Sequence, residues 1–584
     1  MSTITPPAFL LALLLTGAWF AGAARAAQVV LPCDQPMPAR ASLAGGSLVA
    51  SAIGGVGRPT VRLAYLIPNN RTAQPDAVYK LQTTILAYQW WYREQMERNG
   101  FGPKTFAYET EPDGATPRVH VVNVNATDAF LRGDIWTRTI DAASAAGVPV
   151  WATKQVWWLV PEAHVLNADG TLVGGTALGA SFGSGDDPGV GMVGSDGLIR
   201  MRPELLFDNR AYNKLVLAEL GTFALKQDVT FPWFEGTTFS SVSSSVTGAA
   251  LHEPSHGFGL PHDFRNDDNF HGNLMGNGLR GWRGAVYPDK YPADHVRLSY
   301  GAALALNLSR YFNSTTAYND QTKPSVTFSV PASPQTVNGL LTLEFSATDS
   351  GGLAAAWLLW KGELVGEMTV SGTSATRQFI TPYWEANVPA EYAITVFDRQ
   401  GNRTEVKRTF TVQSTGNSAP RPKIKITPTL PSAGSAVTFD ASGSTDANHS
   451  ISQLKFEWDF DGDGIFDTNP SSAQIATHPF LEPGVYLARC RVTDPAGAAV
   501  VSAPIGIRVV APESKQQQLS MVRTGGTSRF SWPLYPSGYR IQKRPGFETA
   551  EPWSDVSGAP LIWGVSNVVS GSIARPREFF RLAK

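Results

Sequence analysis

Residues 252–262 read HEPSHGFGLPH, and no other stretch limits the possible folds so strongly. His252 and His256 are four residues apart, so a helix through them projects both imidazoles from one face, about 40° apart. Gly259 is the natural break after them, because glycine takes φ > 0 without penalty and can swing the chain sharply. The turned chain brings His262 back as a third imidazole. Three histidines suit Zn²⁺ as a tripod with one position left open, the pattern of a catalytic rather than a closed structural site. Glu253 stands next to the first ligand. A carboxylate there is placed to take a proton from water and hand it on to a leaving group.

The full pattern, H-E-x-x-H-x-x-G-x-x-H, is far more specific than H-E-x-x-H alone. It resembles the signature of the metzincin metallopeptidases. That family also has a methionine turn beneath the metal. Here NLMGNG (273–278) follows, with Met275 followed by Gly276 and Gly278. A helix after the turn is expected at 293–312. The resemblance spans residues 60–320, although only 252–278 carries specific motifs. It implies an upper half with the sheet and the active-site helix, a lower half with the turn, and a substrate cleft between them. It further implies a zinc peptidase with His252, His256 and His262 as ligands, Glu253 as general base and acid, and Asp263 as a structural hydrogen-bonding residue.

Two departures bear on the site. Pro254 lies inside the expected helix, removing a backbone donor and crowding residue 250 at roughly 3 kcal/mol in a regular helix. A kink or an irregular first turn is therefore expected. Some relatives carry tyrosine two residues after the methionine, where this chain has Asn277. Tyr287 is the possible stand-in and reads as a structural aromatic. His120, His271 and His295 also read as structural.

At 584 residues the chain is too long for a single core, so several domains are expected. The fold class expected is multidomain: an α/β (α+β) metzincin-like catalytic domain, then all-β immunoglobulin-like sandwiches and a small C-terminal β module. The apolar run 8–24 ends in Ala24-Arg25-Ala26, an export-signal cleavage pattern, although no Lys or Arg precedes the run. Residues 1–26 thus read as a signal peptide and the mature chain as secreted, extracellular or at the cell surface. A segment 27–59 follows. The domain 60–320 alternates strands (61–67, 118–124, 148–160) with helices (77–100, 129–147, 211–227). Residues 321–412 read as an immunoglobulin-like sandwich and 413–422 as a linker. Residues 423–511 closely resemble the PKD domain, in FDASGSTD, the WDF turn and PGVYLARCRVTD. Residues 512–584 read as a small β module.

The PKD-like segment carries an acidic insertion, DFDGDGIFD. Its Asp459, Asp461, Asp463 and Asp467 are candidate Ca²⁺ ligands, with Pro470 standing where an EF-hand has its bidentate glutamate. The bland reading is a solvated acidic turn. DFRNDDN (263–269) is a weaker candidate of the same kind. Two cysteines exclude a disulfide framework. Cys490 reads as a small buried hydrophobe. Cys33, between prolines, is either a free thiol or a latency device that occupies the zinc. A net charge of −1 excludes nucleic acid as the expected partner. The expectation is a monomeric zinc metalloendopeptidase acting on proteins or glycoproteins, with β modules that hold it on a polysaccharide or cell surface. Two alternatives stand beside it: an adhesion or carbohydrate-binding protein with a vestigial zinc site, and a zinc hydrolase of non-peptide bonds.

Overall fold

TVRLAYLIP and QVWWLVP are nearly unbroken apolar runs, and both are buried along their whole length. A strand can be apolar on both sides only where both faces of its sheet are covered. In the computed structural model these runs form the middle of a six-stranded sheet. The structure describes residues 46–584 apart from 49–52, 54–55, 167–171, 174–176, 184, 186, 211–237, 269–270, 314–319, 332, 415, 513–517, 525–526, 547–551, 559 and 573–577. The signal segment 1–26, Cys33 and the helix expected at 211–227 lie outside the described residues.

The strands of this region are β1 (Gly46–Leu48), β2 (Thr60–Pro68), β3 (Val119–Val124), β4 (Gln155–Pro161), β5 (Val165–Leu166), β6 (Leu172–Val173), β7 (Ala177–Ser181) and β8 (Gly189–Val193). The large sheet runs β1-β3-β2-β4-β8-β7, with every pair parallel except β7 on β8. Strands β5 and β6 form a separate hairpin. Helix α1 (Ala77–Arg98) covers one face of the sheet. Helices α2 (Asp128–Gly133) and α3 (Ile135–Ala145) cover the other. The strand period sorts the side chains accordingly. Val61, Leu63 and Tyr65 join the core on the α1 side, while Ala64 and Leu66 join the other.

Three expected elements end differently. The single helix at 129–147 is broken at Asp134, whose carboxylate accepts from Thr137 N and starts a second helix instead. The strand expected over 148–160 begins only at Gln155, after turns at 150–154. The helix expected over 293–312 is shorter. After α4 (Ser195–Arg200), α5 (Phe239–Gly257) and α6 (Trp282–Val286), residues His295–Arg297 form strand β10, paired in parallel with β9 (His271–Asn273). Helix α7 (Tyr300–Leu308) starts only where Ser299 accepts from Ala302 N. His295 therefore sits on a strand and not on a helix.

From residue 325 onward the regular elements among the described residues are β-strands, apart from one short 3-10 turn at Ile451–Gln453. Strands β11 (Ser325–Ser329), β12 (Leu341–Thr348), β13 (Leu353–Trp360), β14 (Glu363–Thr369), β15 (Ser374–Thr381), β16 (Pro389–Asp398) and β17 (Arg403–Thr411) form two facing sheets, β11-β12-β15 and β14-β13-β16-β17. β12 alternates strictly between buried and exposed residues, as a strand with one wet face must. β13 does not, because its outer face is also covered. Ala356, Leu358 and Trp360 enter the sandwich core, whereas Ala355, Trp357 and Leu359 enter the core of the N-terminal region. The Trp357 indole donates to Gly301 O at 3.0 Å. A second sandwich follows at 425–509 and a smaller pair of sheets at 520–583. Both return to α1. Arg508 pairs with Glu94 at 2.6 Å, and the Tyr79 hydroxyl donates to Ile562 O at 2.7 Å. Among the described residues no helix is long and apolar enough to cross a membrane.

Candidate functional site

Helix α5 is serine-rich, and serine in a helix needs partners for its hydroxyl. Thr238 caps the N-terminus by accepting from Ser241 N at 3.2 Å. Ser243 donates to Arg202 O and Ser244 to Arg280 O, tying α5 to its surroundings. The helix runs through Gly257 with Pro254 in its last turn. The end of the helix is a Schellman turn. Gly259 N donates to His256 O at 2.8 Å and Leu260 N to Ser255 O at 3.2 Å, with Gly259 at φ +84°.

The last two turns of α5 lie directly on the backbone of the sheet edge. A Cβ built on Gly179 would stand 2.1 Å from Glu253 O, one on Gly189 2.1 Å from Gly257 O, and one on Gly191 2.3 Å from Pro254 N. No larger residue fits at these places in β7 and β8. Sequence reasoning did not single out these glycines. The signal was available in GVGMV, where two alternate residues of an apolar strand, Gly189 and Gly191, lack a side chain.

The three imidazoles converge. Their ring centroids are 4.7 Å (His252–His256), 5.2 Å (His252–His262) and 4.8 Å (His256–His262) apart. One ring nitrogen from each lies within 4.8 Å of the others. His252 Nδ1 sits 2.7 Å from Leu274 O, and His256 Nδ1 sits 2.8 Å from Leu260 O. A carbonyl can only accept, so both Nδ1 atoms carry the proton and both Nε2 atoms are left with a lone pair. Those two Nε2 atoms face each other at 3.0 Å. Two lone pairs at that distance repel unless a cation or a proton lies between them. Burial, and for His252 also the other two rings, pushes the His252 pKa well below the ordinary range. Burial likewise lowers His256 to about 3 and lowers His262. A proton is thus a poor bridge. A divalent cation that accepts imidazole nitrogen fits the donor set.

Glu253 is buried, and burial raises its carboxyl to about 8. Among the described residues that carboxyl has no hydrogen-bond or ion-pair partner. Met275 is buried at 1% exposure next to Leu274, the residue whose carbonyl orients His252. Met275 O accepts from Asp263 N at 3.0 Å. The Asp263 carboxylate takes three donors from Arg265, whose guanidinium also pairs with Glu367 of β14 at 2.6 Å. Leu364 N of β14 donates to His262 O at 2.7 Å. Asp267, read within a weak calcium candidate, lies under the methionine turn. Its carboxylate accepts from Asn277 N and from Gly278 N, and burial raises it to about 7. Tyr287 is fully buried against Phe207, with ring centroids 4.0 Å apart. Arg403 of β17 donates to Gly259 O at 2.9 Å and Gly183 O at 2.8 Å, bracing the turn that aims His262.

Outside this centre, Asp459, Asp461 and Asp467 come together and Asp463 lies outside the group. Asp459 accepts from Gly462 N and Gly464 N, Asp461 from Asp463 N, and Asp467 from Phe460 N. Cys490 is buried in the second sandwich, and burial pushes its thiol up to about 12. His120 is held by Glu109 at 2.7 Å.

Residues 417–509 match the PKD domain. No curated protein matches the chain in sequence. Among solved structures it is similar to wild-type OgpA from Akkermansia muciniphila, with 12% identity and a TM-score of 0.38 over 63% of this chain and 97% of that one. It is also similar to catalytically inactive OgpA from the same organism in complex with an O-glycopeptide substrate, at 11% identity and a TM-score of 0.37 over the same shares. The fibronectin(III)-like modules of Clostridium thermocellum CbhA align at 14% identity and a TM-score of 0.16, over 33% of this chain and 97% of theirs. Likeness this distant assigns neither a fold family nor an activity to the chain.

Proposed function

We propose that this chain is an exported zinc metalloendopeptidase of the metzincin type that hydrolyses peptide bonds of proteins or glycoproteins. The observation that carries the reading is the pair of Nε2 lone pairs, on His252 and His256, held face to face with His262 alongside. Both Nδ1–H groups are anchored on backbone carbonyls, which fixes tautomer and ring orientation as metal-binding imidazoles require. His252, His256 and His262 would hold the zinc. When bound, zinc supplies a Lewis acid that polarises a carbonyl and makes a water molecule more acidic. Glu253 takes the proton of the attacking water on its carboxylate and delivers it to the departing amine. Burial raises its carboxyl to about 8, and a cation on the three histidines would lower it again, favouring the carboxylate that takes up the water's proton. Met275 and its turn position His252 from below.

The test uses the purified chain from Ala27 onward, with Glu253→Gln beside it. The expected outcome is loss of protein and glycoprotein cleavage by about 10²–10⁴-fold with zinc content unchanged. If both proteins hold zinc and neither cleaves any protein, glycoprotein or ester, the peptidase reading falls. Cleavage of esters alone would favour the non-peptide hydrolase.

A further inference from the structure

Three carboxylates distant in sequence meet where the N-terminal region joins the first sandwich. Asp320 precedes β11, Asp349 follows β12, and Asp398 ends β16. One oxygen from each lies within 4.8 Å of the others. Asp398 is fully buried and Asp349 is 5% exposed, while Asp320 is half-buried. The Asp398 carboxylate is fixed by its own turn, with Oδ1 accepting from Gln400 N and Asn402 N, both at 2.8 Å, and Oδ2 from Asn402 Nδ2 at 2.7 Å. Asp349 Oδ1 accepts from Gly351 N at 2.8 Å, but its Oδ2 is buried without any hydrogen-bond partner. An orphaned carboxylate oxygen in the interior is among the more expensive groups a fold can keep.

Among the described residues none of the three carboxylates is ion-paired. Arg310, just after α7, spends its guanidinium on Asp320 O, Gln400 O, Asn402 Oδ1 and Gln321 Oε1. The Arg399 side chain lies against Gly352. Burial raises the Asp398 carboxyl, and the neighbouring Asp349 charge adds to the rise.

We propose that Asp320, Asp349 and Asp398 form a calcium site that fastens the first sandwich to the N-terminal region. All three ligands are hard oxygens. Calcium accepts six to eight oxygens in flexible geometry, so solvent on the half-buried Asp320 side can complete the shell. The orphaned Asp349 oxygen then gains a partner. The turn that carries Asp398 leads directly into Arg403, the brace on Gly259. An ion here therefore stiffens the wall beside the histidine centre. The site is separate from the acidic loop 459–467, and its existence does not depend on the peptidase reading.

The chain from Ala27 onward is stripped with EDTA and titrated with calcium chloride, following thermal unfolding and bound calcium per chain. Asp349→Asn and Asp320→Asn are compared with wild type, and Asp461→Asn controls for the acidic loop. At free calcium about a hundred times Kd the wild-type Tm is expected to rise by roughly 5 °C or more. Asp349→Asn and Asp320→Asn should each bind one calcium fewer and lose that rise, whereas Asp461→Asn should keep it. In EDTA, Asp349→Asn should melt no lower than wild type, because it removes a repelling charge. If either variant binds as much calcium as wild type with the same gain in Tm, the site does not exist. Asp320→Asn, at a half-exposed position, decides the matter if Asp349→Asn fails to fold.

Discussion

At the end of α5, each of two imidazoles gives one nitrogen to a backbone carbonyl and keeps the other free. In the acidic loop 459–467, the carboxylates give their oxygens to amide groups of the loop itself. Both stretches present metal-type side chains at close spacing. What separates them is reach. An aspartate in a turn is short enough to bond the amides two or three residues on, so it consumes its own valences. An imidazole on a helix meets only amides already used by the helix. Its partner must come from elsewhere, here from Leu274 and from Leu260 beyond the Schellman turn. One face of the imidazole is thereby oriented and the other left open. The carboxylates of the loop are answered within the loop, whereas the histidine centre depends on β8, on the methionine turn and on β14 of the next domain.

That dependence can be broken from the sheet side. Gly191→Ala puts a Cβ where Pro254 N stands, and backbone cannot yield as a side-chain tip can. The expected loss is about 3 kcal/mol in chemical denaturation, with lowered zinc content. An unchanged zinc content would mean that the glycine seat does not position the ligands. Gly259→Ala comes next. It forces a side chain to φ +84° and displaces the Arg403 guanidinium, at about 2 kcal/mol. Turnover should fall more than stability, because the brace on the His262 turn is lost. The smallest effect belongs to the self-sufficient loop. Asp467→Ala removes the acceptor of Phe460 N and should cost about 1 kcal/mol in the second sandwich, with zinc content and cleavage unchanged. A fall in zinc content there would erase the distinction between the two regions.

How much was legible follows the same line. The spacing of His252 and His256, the turn at Gly259 and the return of His262 obey the helix period and the conformational freedom of glycine, so they could be read directly. Asp263 was legible as a structural acceptor, and it binds Arg265. Pro254 was expected to kink the helix or make its first turn irregular. The proline sits in the last turn, where it removes one intrahelical bond without disturbing the start of the helix. Asp134 was overlooked as a cap inside what looked like one helix. His295 was assigned to a helix because the apolar run after it is helical, while the three residues at 295–297 are claimed by pairing with β9. Asp267 was read only within a weak cation candidate, and its role as acceptor for Asn277 N and Gly278 N in the methionine turn was missed.

The chain order of residues decides by itself which side chains share a helix face, where glycine lets the chain reverse, and which strands can be apolar on both sides. These are local properties of backbone geometry and side-chain reach. It also determines the PKD match at 417–509, because that sandwich carries its own core. Only the tertiary structure decides which carbonyl meets which imidazole, and that β13 is buried twice. It alone sets Asp320 beside Asp349 and Asp398. Apart from Leu260, four residues from His256, these partners lie 22 to 78 positions apart, and no local period encodes them. Packing between layers brings them together, and burial then makes each unanswered polar atom among them expensive.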